Sequence, residues 1–414
     1  MSNNTTQIRR NLWDAPWGYV ESFFIGIGLM LTGFFLEISS SGSLDFTVSY
    51  PYNLYFLLGY VGFLLILYFG FRNTQVVRWL TKVPASISSI VLITFLVMIM
   101  GIVPQIPSEN NIITNLGLNK ITSNWAFLLV LFQFLTCLGL ITIKRIVQFK
   151  TENIGFILNH LGLFLALVAG MLGTGDLQRL SLNTFENKHS WVATDINNKE
   201  VELPFAVYLN EFLIEEYNPK LALIDNVSGE VVENDGKNLY LINKDEDYIY
   251  KNYQVNVEKF HTSSGRIGDR YMPVSDIGSP PSAYLSVKNI ENDSIVKGWI
   301  SCGSFAHPYQ SLKLDSKYSF VMTIPEAKKF SSDIDIVSKE GDKTKTVLEV
   351  NKPYKYNGWK LYQLSYNEKM GKWSKLSVIE LVRDPWLPVI YTGIFMMIAG
   401  AFYMFWVGNK ITKN

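Results

Sequence analysis

Residues 154–179 read IGFILNHLGLFLALVAGMLGTGDLQR, and this stretch decides the fold. From 154 to 173 only Asn159 and His160 are polar. That length matches the ~20 apolar residues a helix needs to cross a hydrocarbon core. Inside lipid every backbone donor and acceptor must pair within its own segment, so a helix is the reading such a run allows. The following Thr174-Gly175-Asp176-Leu177-Gln178-Arg179 is abruptly polar. One stretch therefore predicts a membrane helix delivering the chain to a water-soluble domain.

Outward from it, comparable apolar runs lie at about 18–37, 52–71, 86–106, 124–143 and 386–407. With 154–173 they give six predicted membrane helices. The first is too long for the apolar part of a signal peptide and lacks a small-residue cleavage site, so it is expected to stay. The composition agrees. Of 414 residues 48% are hydrophobic and only 18% charged, against ~25% charged in ordinary soluble domains. This excludes a disordered chain, a coiled coil and a single soluble domain. Net charge is +1, and no Lys/Arg cluster forms a nucleic-acid footprint.

Loop charges predict orientation. Arg9, Arg10, Arg72, Arg78, Lys82, Lys144, Arg145, Lys150, Lys410 and Lys413 fall in one alternating set of connections and ends. The other short loops, 38–51 and 107–123, hold only Lys120. Positive charge stays on the cytoplasmic side, so both termini are expected there. Residues 174–384 then form one extracytoplasmic domain between helices five and six. The expected organisation is a five-helix membrane region (1–173), a β-rich outer domain (174–384), and a final helix with a cytoplasmic tail (385–414).

The outer domain should be antiparallel β. Trp359–Tyr366 mostly alternates apolar and polar residues. Shorter candidates are 284–287, 318–322 and 347–350. Turn pairs separate the apolar stretches: Ser228-Gly229, Asp235-Gly236 and Asn357-Gly358.

Only two cysteines occur, Cys137 in a membrane run and Cys302 in the outer domain. With no CxxC or CxxCH, the chain is not a thiol-disulfide exchanger, zinc ribbon or c-type cytochrome. Both thiols are expected to be buried small hydrophobes; a thiol meeting another chain is the sharper alternative for Cys302. His189, His261 and His307 lie in the outer domain, where structural or exposed roles are expected.

His160 stands apart, because an ionisable residue within a membrane helix usually faces a partner, a cavity or a ligand. Position alone leaves two readings open. A neutral imidazole offers one nitrogen to a transition metal, haem iron among them. Alternatively, the ring makes an interhelical hydrogen bond, with Gln133 or Asn159 as partner. Glu21 and Glu37 lie near helix ends, within reach of the interface, and carry no predicted chemistry.

At this point the sequence resembles the ResB (CcsB) family of system II cytochrome c biogenesis. Three stretches carry the likeness: Leu158–Gly162 with Gly173–Arg179; Leu203-Pro204-Phe205 leading to Tyr208–Phe212; and Val350–Pro353, Tyr356–Trp359 and Leu361–Gln363, ending in Asp384-Pro385-Trp386. The resemblance implies a membrane subunit that works with a CcsA-like partner. Together they would move haem b, held transiently, across the membrane and present it for attachment to apocytochrome c. It also implies that His160 is a haem-iron ligand. The tryptophan-rich WWD segment that marks the partner is absent here, and many relatives have four spans where six are predicted. Two other readings are a structural subunit that stabilises the partner and binds apocytochrome without touching haem, and a membrane sensor or transporter subunit. The lack of a nucleotide-binding loop weighs against a pump or kinase.

Overall fold

The computed structural model describes residues 11–40, 47–234, 236–244 and 246–411, with side chains up to 407. Arg9, Arg10, Asp235 and Lys413, and the side chain of Lys410, lie outside the described residues. Two compact units result, one of residues 1–177 with 384–414, the other of 178–383.

The first unit is helical. Its helices are α1 (Tyr19–Ser39), α2 (Tyr52–Phe71), α3 (Gln75–Leu80), α4 (Val83–Ile102), α5 (Asn111–Asn115), α6 (Trp125–Val147), α7 (Ile154–Leu172) and α8 (Leu387–Ile411). Six of them, all but the short α3 and α5, are long and apolar enough to cross a membrane. The expected span 52–71 coincides with α2, and the other boundaries differ by a few residues. The span expected at 86–106 ends early, at Ile102. Pro104 forces Val103 into an extended conformation (ψ 123°), because its ring clashes with a helical predecessor. Large side chains such as Phe35, Phe402 and Phe405 remain at least 70% exposed, which suits a lipid-facing surface.

The centre of this unit is α6, with eleven of its 23 residues buried. Small residues set the closest approaches. On α7 and α8, Gly155 and Gly162 meet Gly400 and Gly393, seven residues apart on each helix. A Cβ at Gly162 would sit 2.5 Å from Gly393 O, and one at Gly393 2.5 Å from Gly162 O. Glycine lets these backbones touch, which is how membrane helices pack when lipid removes the hydrophobic drive between them.

Glu37 does not reach an interface as expected. It is 2% exposed, and its Oε2 accepts from Trp125 N (3.1 Å). Its carboxylate thus serves the otherwise unpaired N–H groups at the start of α6, beside the Asn124 cap. Glu21 accepts from Gly18 N (2.8 Å) at the start of its own helix.

The second unit is β-rich, with antiparallel pairing between all its named strands. Its largest sheet has eight strands in the spatial order 343–349, 327–338, 200–216, 189–194, 178–185, 376–383, 359–366 and 354–356. The first and last strands of the unit pair along their full length, Gln178 opposite Arg383 and Phe185 opposite Leu376. The sheet rolls over a core containing Leu182, Val207, Leu209, Ile334, Leu361 and Ile379. The roll lets Ser332 Oγ donate to Gln363 Oε1 (2.6 Å), although their strands are not neighbours. Two four-stranded sheets enclose a second core around Leu223, Tyr250, Val255, Leu285 and Phe320.

Two sequence signals are realised here. Asn357 (φ 44°) and Gly358 (φ 82°) both take the left-handed conformation that a two-residue hairpin turn requires, and Tyr356 pairs with Trp359 across it. In the strand 200–216, Leu203, Phe205, Val207 and Leu209 bury every second side chain. A bulge opposite Asp333 and Ile334 then shifts the phase, so Phe212 rather than Glu211 enters the core.

Candidate functional site

His160 lies one helical turn after Phe156 on α7. Its ring stacks on Phe156 with centroids 3.6 Å apart and planes 18° from parallel. Its Nδ1 is 2.9 Å from Phe156 O. A carbonyl oxygen can only accept, so this contact places the proton on Nδ1 and the lone pair on Nε2. Nε2 has no hydrogen-bond partner among the described residues.

The side chain lines a cleft of about 540 Å³, within the range of small-molecule and cofactor sites. Its walls come from four helix segments: the start of α4 (Lys82, Val83), the middle and end of α6 (Phe134, Leu138, Arg145), the start of α7, and Met397 and Met404 of α8. These helices bring one set of their ends together. The wall is mostly aliphatic, aromatic and thioether, with Lys82 and Arg145 as its cations. Arg145 lies with Cζ 5.2 Å from the Phe156 ring centroid. A second cleft, of about 620 Å³, is framed by Tyr52, Tyr55, Phe56, Tyr60, Phe63 and Phe132. It is lined by neither a histidine nor a cation.

The interhelical pairs that sequence position suggests for His160 do not form. Asn159 Nδ2 donates to Gly155 O in its own helix (3.4 Å). The Gln133 side chain is 5% exposed, and its amide has no partner among the described residues. Local geometry takes the imidazole proton first: a residue at i−4 has its carbonyl directly beneath the ring, while reaching another helix needs a complementary group at the same depth.

A different constellation, missed as a unit by sequence reasoning, gathers the resemblance stretches. The Asp176 carboxylate accepts from Tyr50 N at Oδ1 and from Asn53 Nδ2 and Trp386 Nε1 at Oδ2, each at 2.7 Å. Asn53 also donates to Leu172 O (3.0 Å). Gly173 and Gly175 give the space: a Cβ at Gly173 would lie 2.7 Å from Trp386 Cβ, and one at Gly175 2.5 Å from Val48 O. Asp384 Oδ1 accepts from Trp386 N and Leu387 N (3.0 Å each), capping the start of α8. Gly-Thr-Gly-Asp and Asp-Pro-Trp thus form one clasp joining the exit of α7, the entry to α2 and the entry to α8.

The histidines of the β-rich unit pack on aromatic rings or sit in a turn. His189 packs on Tyr208 and His261 on Trp299, with centroids 4.8 and 5.5 Å apart. Burial, and secondarily Lys259, push the imidazole of His261 below its ordinary range. Around His307 the turn closes through backbone: its N–H donates to Ser304 Oγ (3.2 Å), and its carbonyl accepts from Ser304 N (2.8 Å). Cys137 and Cys302 are both free thiols. Burial drives the Cys302 thiol up to about 11, the environment of an inert cysteine. Among the described residues no group of three His, Cys, Asp or Glu side chains is placed to hold a metal ion.

These features define a chain with six helices long and apolar enough to cross a membrane and a large β-rich unit between the last two of them, with one histidine opening onto a cleft among the helices. Residues 301–380 of the chain match the model of the ResB-like family, which is associated with cytochrome c biogenesis. The resemblance to that family is thereby borne out. The matched span covers the Asn357-Gly358 hairpin and Gln363; His160 and the clasp lie outside it. No curated protein matches the chain.

Proposed function

We propose that this chain is a haem-handling membrane subunit of cytochrome c biogenesis. It would work with a CcsA-like partner to pass haem across the membrane and present it to apocytochrome c. The observation that carries the reading is the placement of the His160 ring, with Nδ1 2.9 Å from Phe156 O and Nε2 without a hydrogen-bond partner among the described residues. With Nδ1–H held by Phe156 O, Nε2 is the unprotonated nitrogen that iron ligation requires, and a backbone carbonyl on the other nitrogen is the usual way a ligating imidazole is oriented. The cleft supplies apolar walls for a porphyrin face and space of the right order.

In this reading His160 would hold the haem iron together with a histidine of the partner. The helices exclude water, and the outer domain docks partner and apocytochrome. The bonds to the acceptor form between haem vinyl groups and reduced cysteine thiols, so this chain supplies position rather than a nucleophile. The arginine and lysine distribution supports cytoplasmic termini and an outer domain on the far side of the cytoplasmic membrane.

A second reading is a scaffold that stabilises the partner and binds apocytochrome without touching haem. It is favoured by a family match falling wholly in the β-rich domain. Absorbance spectra of the purified protein, with and without its partner, separate the two. Haem-iron ligation predicts a Soret band that shifts or disappears in His160→Ala; an unchanged band with undiminished haem in that variant removes the ligand role of His160, and a chain that takes up no haem with or without its partner leaves the scaffold.

A further inference from the structure

The cleft at His160 has a polar end as well as a ligand. Lys82 is the N-cap residue of α4 and Arg145 lies in the last turn of α6, and both residues line the cleft that His160 lines. Neither is paired with a carboxylate among the described residues. Lys82 makes no side-chain hydrogen bond or ion pair there. Arg145 makes only a long contact to Asn153 Oδ1 (3.5 Å) and its contact with the Phe156 ring. That ring in turn stacks on His160, so guanidinium, benzene ring and imidazole are successive neighbours. His160 lies six residues, about 9 Å, along α7 from its first residue. Two cations with no carboxylate partner among the described residues therefore stand at the helix ends, with a metal-competent nitrogen deeper in an apolar wall.

This order of polarity matches one class of ligand. An iron porphyrin of the haem type is a flat apolar disc with the metal at its centre and two carboxylates on one edge. We propose that Lys82 and Arg145 bind those carboxylates, so that the porphyrin is held with its acidic edge at the helix ends and its iron toward His160. Guanidinium suits a carboxylate through paired N–H groups, and lysine adds a mobile point charge. The proposal rests on the haem reading above, but assigns residues that reading does not use. It gives the cleft a direction: the acidic edge would lie at the cationic end and the iron toward His160. An anionic lipid headgroup presents similar oxygen chemistry, and the test separates the two.

The experiment uses the purified full-length chain in zwitterionic nanodiscs, titrated with ferric haem and with its dimethyl ester, whose carboxylates are neutralised. Binding is followed by the Soret band. The wild type is expected to bind the free acid at least about tenfold more tightly than the ester, the scale of one charge-assisted contact. Lys82→Gln with Arg145→Gln should bind both forms equally, with the Soret position unchanged because ligation is intact. Lys82→Arg with Arg145→Lys should keep the preference, which excludes misfolding as its cause. His160→Ala should shift the band in both forms and retain the preference. Equal wild-type affinities for acid and ester, as expected if these cations serve lipid headgroups, would overturn the proposal, as would a preference that survives loss of both cations. If the preference holds while His160→Ala leaves the band unchanged, the ligation reading fails and the carboxylate site stands.

Discussion

Removing the Asp176 carboxylate tests whether the Gly-Thr-Gly-Asp and Asp-Pro-Trp stretches act as one clasp. Asp176 receives bonds from Tyr50 N, Asn53 Nδ2 and Trp386 Nε1, all at 2.7 Å. Hydrogen bonds to a charged group contribute about 1.5–3 kcal/mol each when well shielded. Asp176 is half-buried, so about 1 kcal/mol per bond is the fair figure after solvent screening. Asp176→Ala should then destabilise the helical unit by about 3 kcal/mol. Asp176→Asn should lose about half of that: its amide oxygen can replace Oδ2 toward Asn53 and Trp386, while its NH₂ faces the Tyr50 N–H. At ~2–4 °C per kcal/mol for a unit of about 200 residues, the alanine variant should melt about 6–12 °C lower. The assay is thermal unfolding of the full chain in detergent, followed by tryptophan fluorescence. Coupling gives the sharper check. Trp386→Phe should cost about 1 kcal/mol in the wild type and almost nothing in Asp176→Ala, since the bond is already gone. Additive effects of the two substitutions, or an alanine variant melting within about 2 °C of the wild type, would refute the clasp.

Two further outcomes follow from packing and burial. Gly162→Leu should lower the melting temperature by several degrees, because a side chain there collides with Gly393 O and must part α7 from α8 at an overpacking cost of at least about 1–3 kcal/mol. Gly170→Leu on the same helix, where a Cβ meets nothing within 4 Å, should be silent in the same melt. Cys302 should alkylate slowly at pH 8, since a thiol titrating at about 11 is only about one part in a thousand thiolate there. Its rate, measured by mass spectrometry on a Cys137→Ser background, should rise about tenfold per pH unit until pH nears 11; a rate level between pH 8 and 10 would disprove that environment.

What the linear chain determined follows from local rules. Apolar runs such as 52–71 form helices because length and backbone pairing admit little else. The strand 359–366 and its Asn357-Gly358 turn follow from alternation and from the conformations two residues tolerate. His160 was singled out by depth alone, since a titratable ring in an apolar run is costly.

Its partner was decided by three-dimensional geometry, which placed Phe156 O under Nδ1 and kept Gln133 and Asn159 away. Lys82 and Arg145 showed in the sequence only as loop charge; the meeting of four helix ends made them neighbours of the imidazole. Asp176 and Trp386 are 210 positions apart, and Ser332 and Gln363 sit on strands that touch only because the sheet rolls. Periodicity reports which face of an element is apolar, an average over a few residues. Which polar atom meets which depends on the depth and rotation at which packed backbones come to rest, and small residues such as Gly162 and Gly393 set that through contacts far apart in the chain.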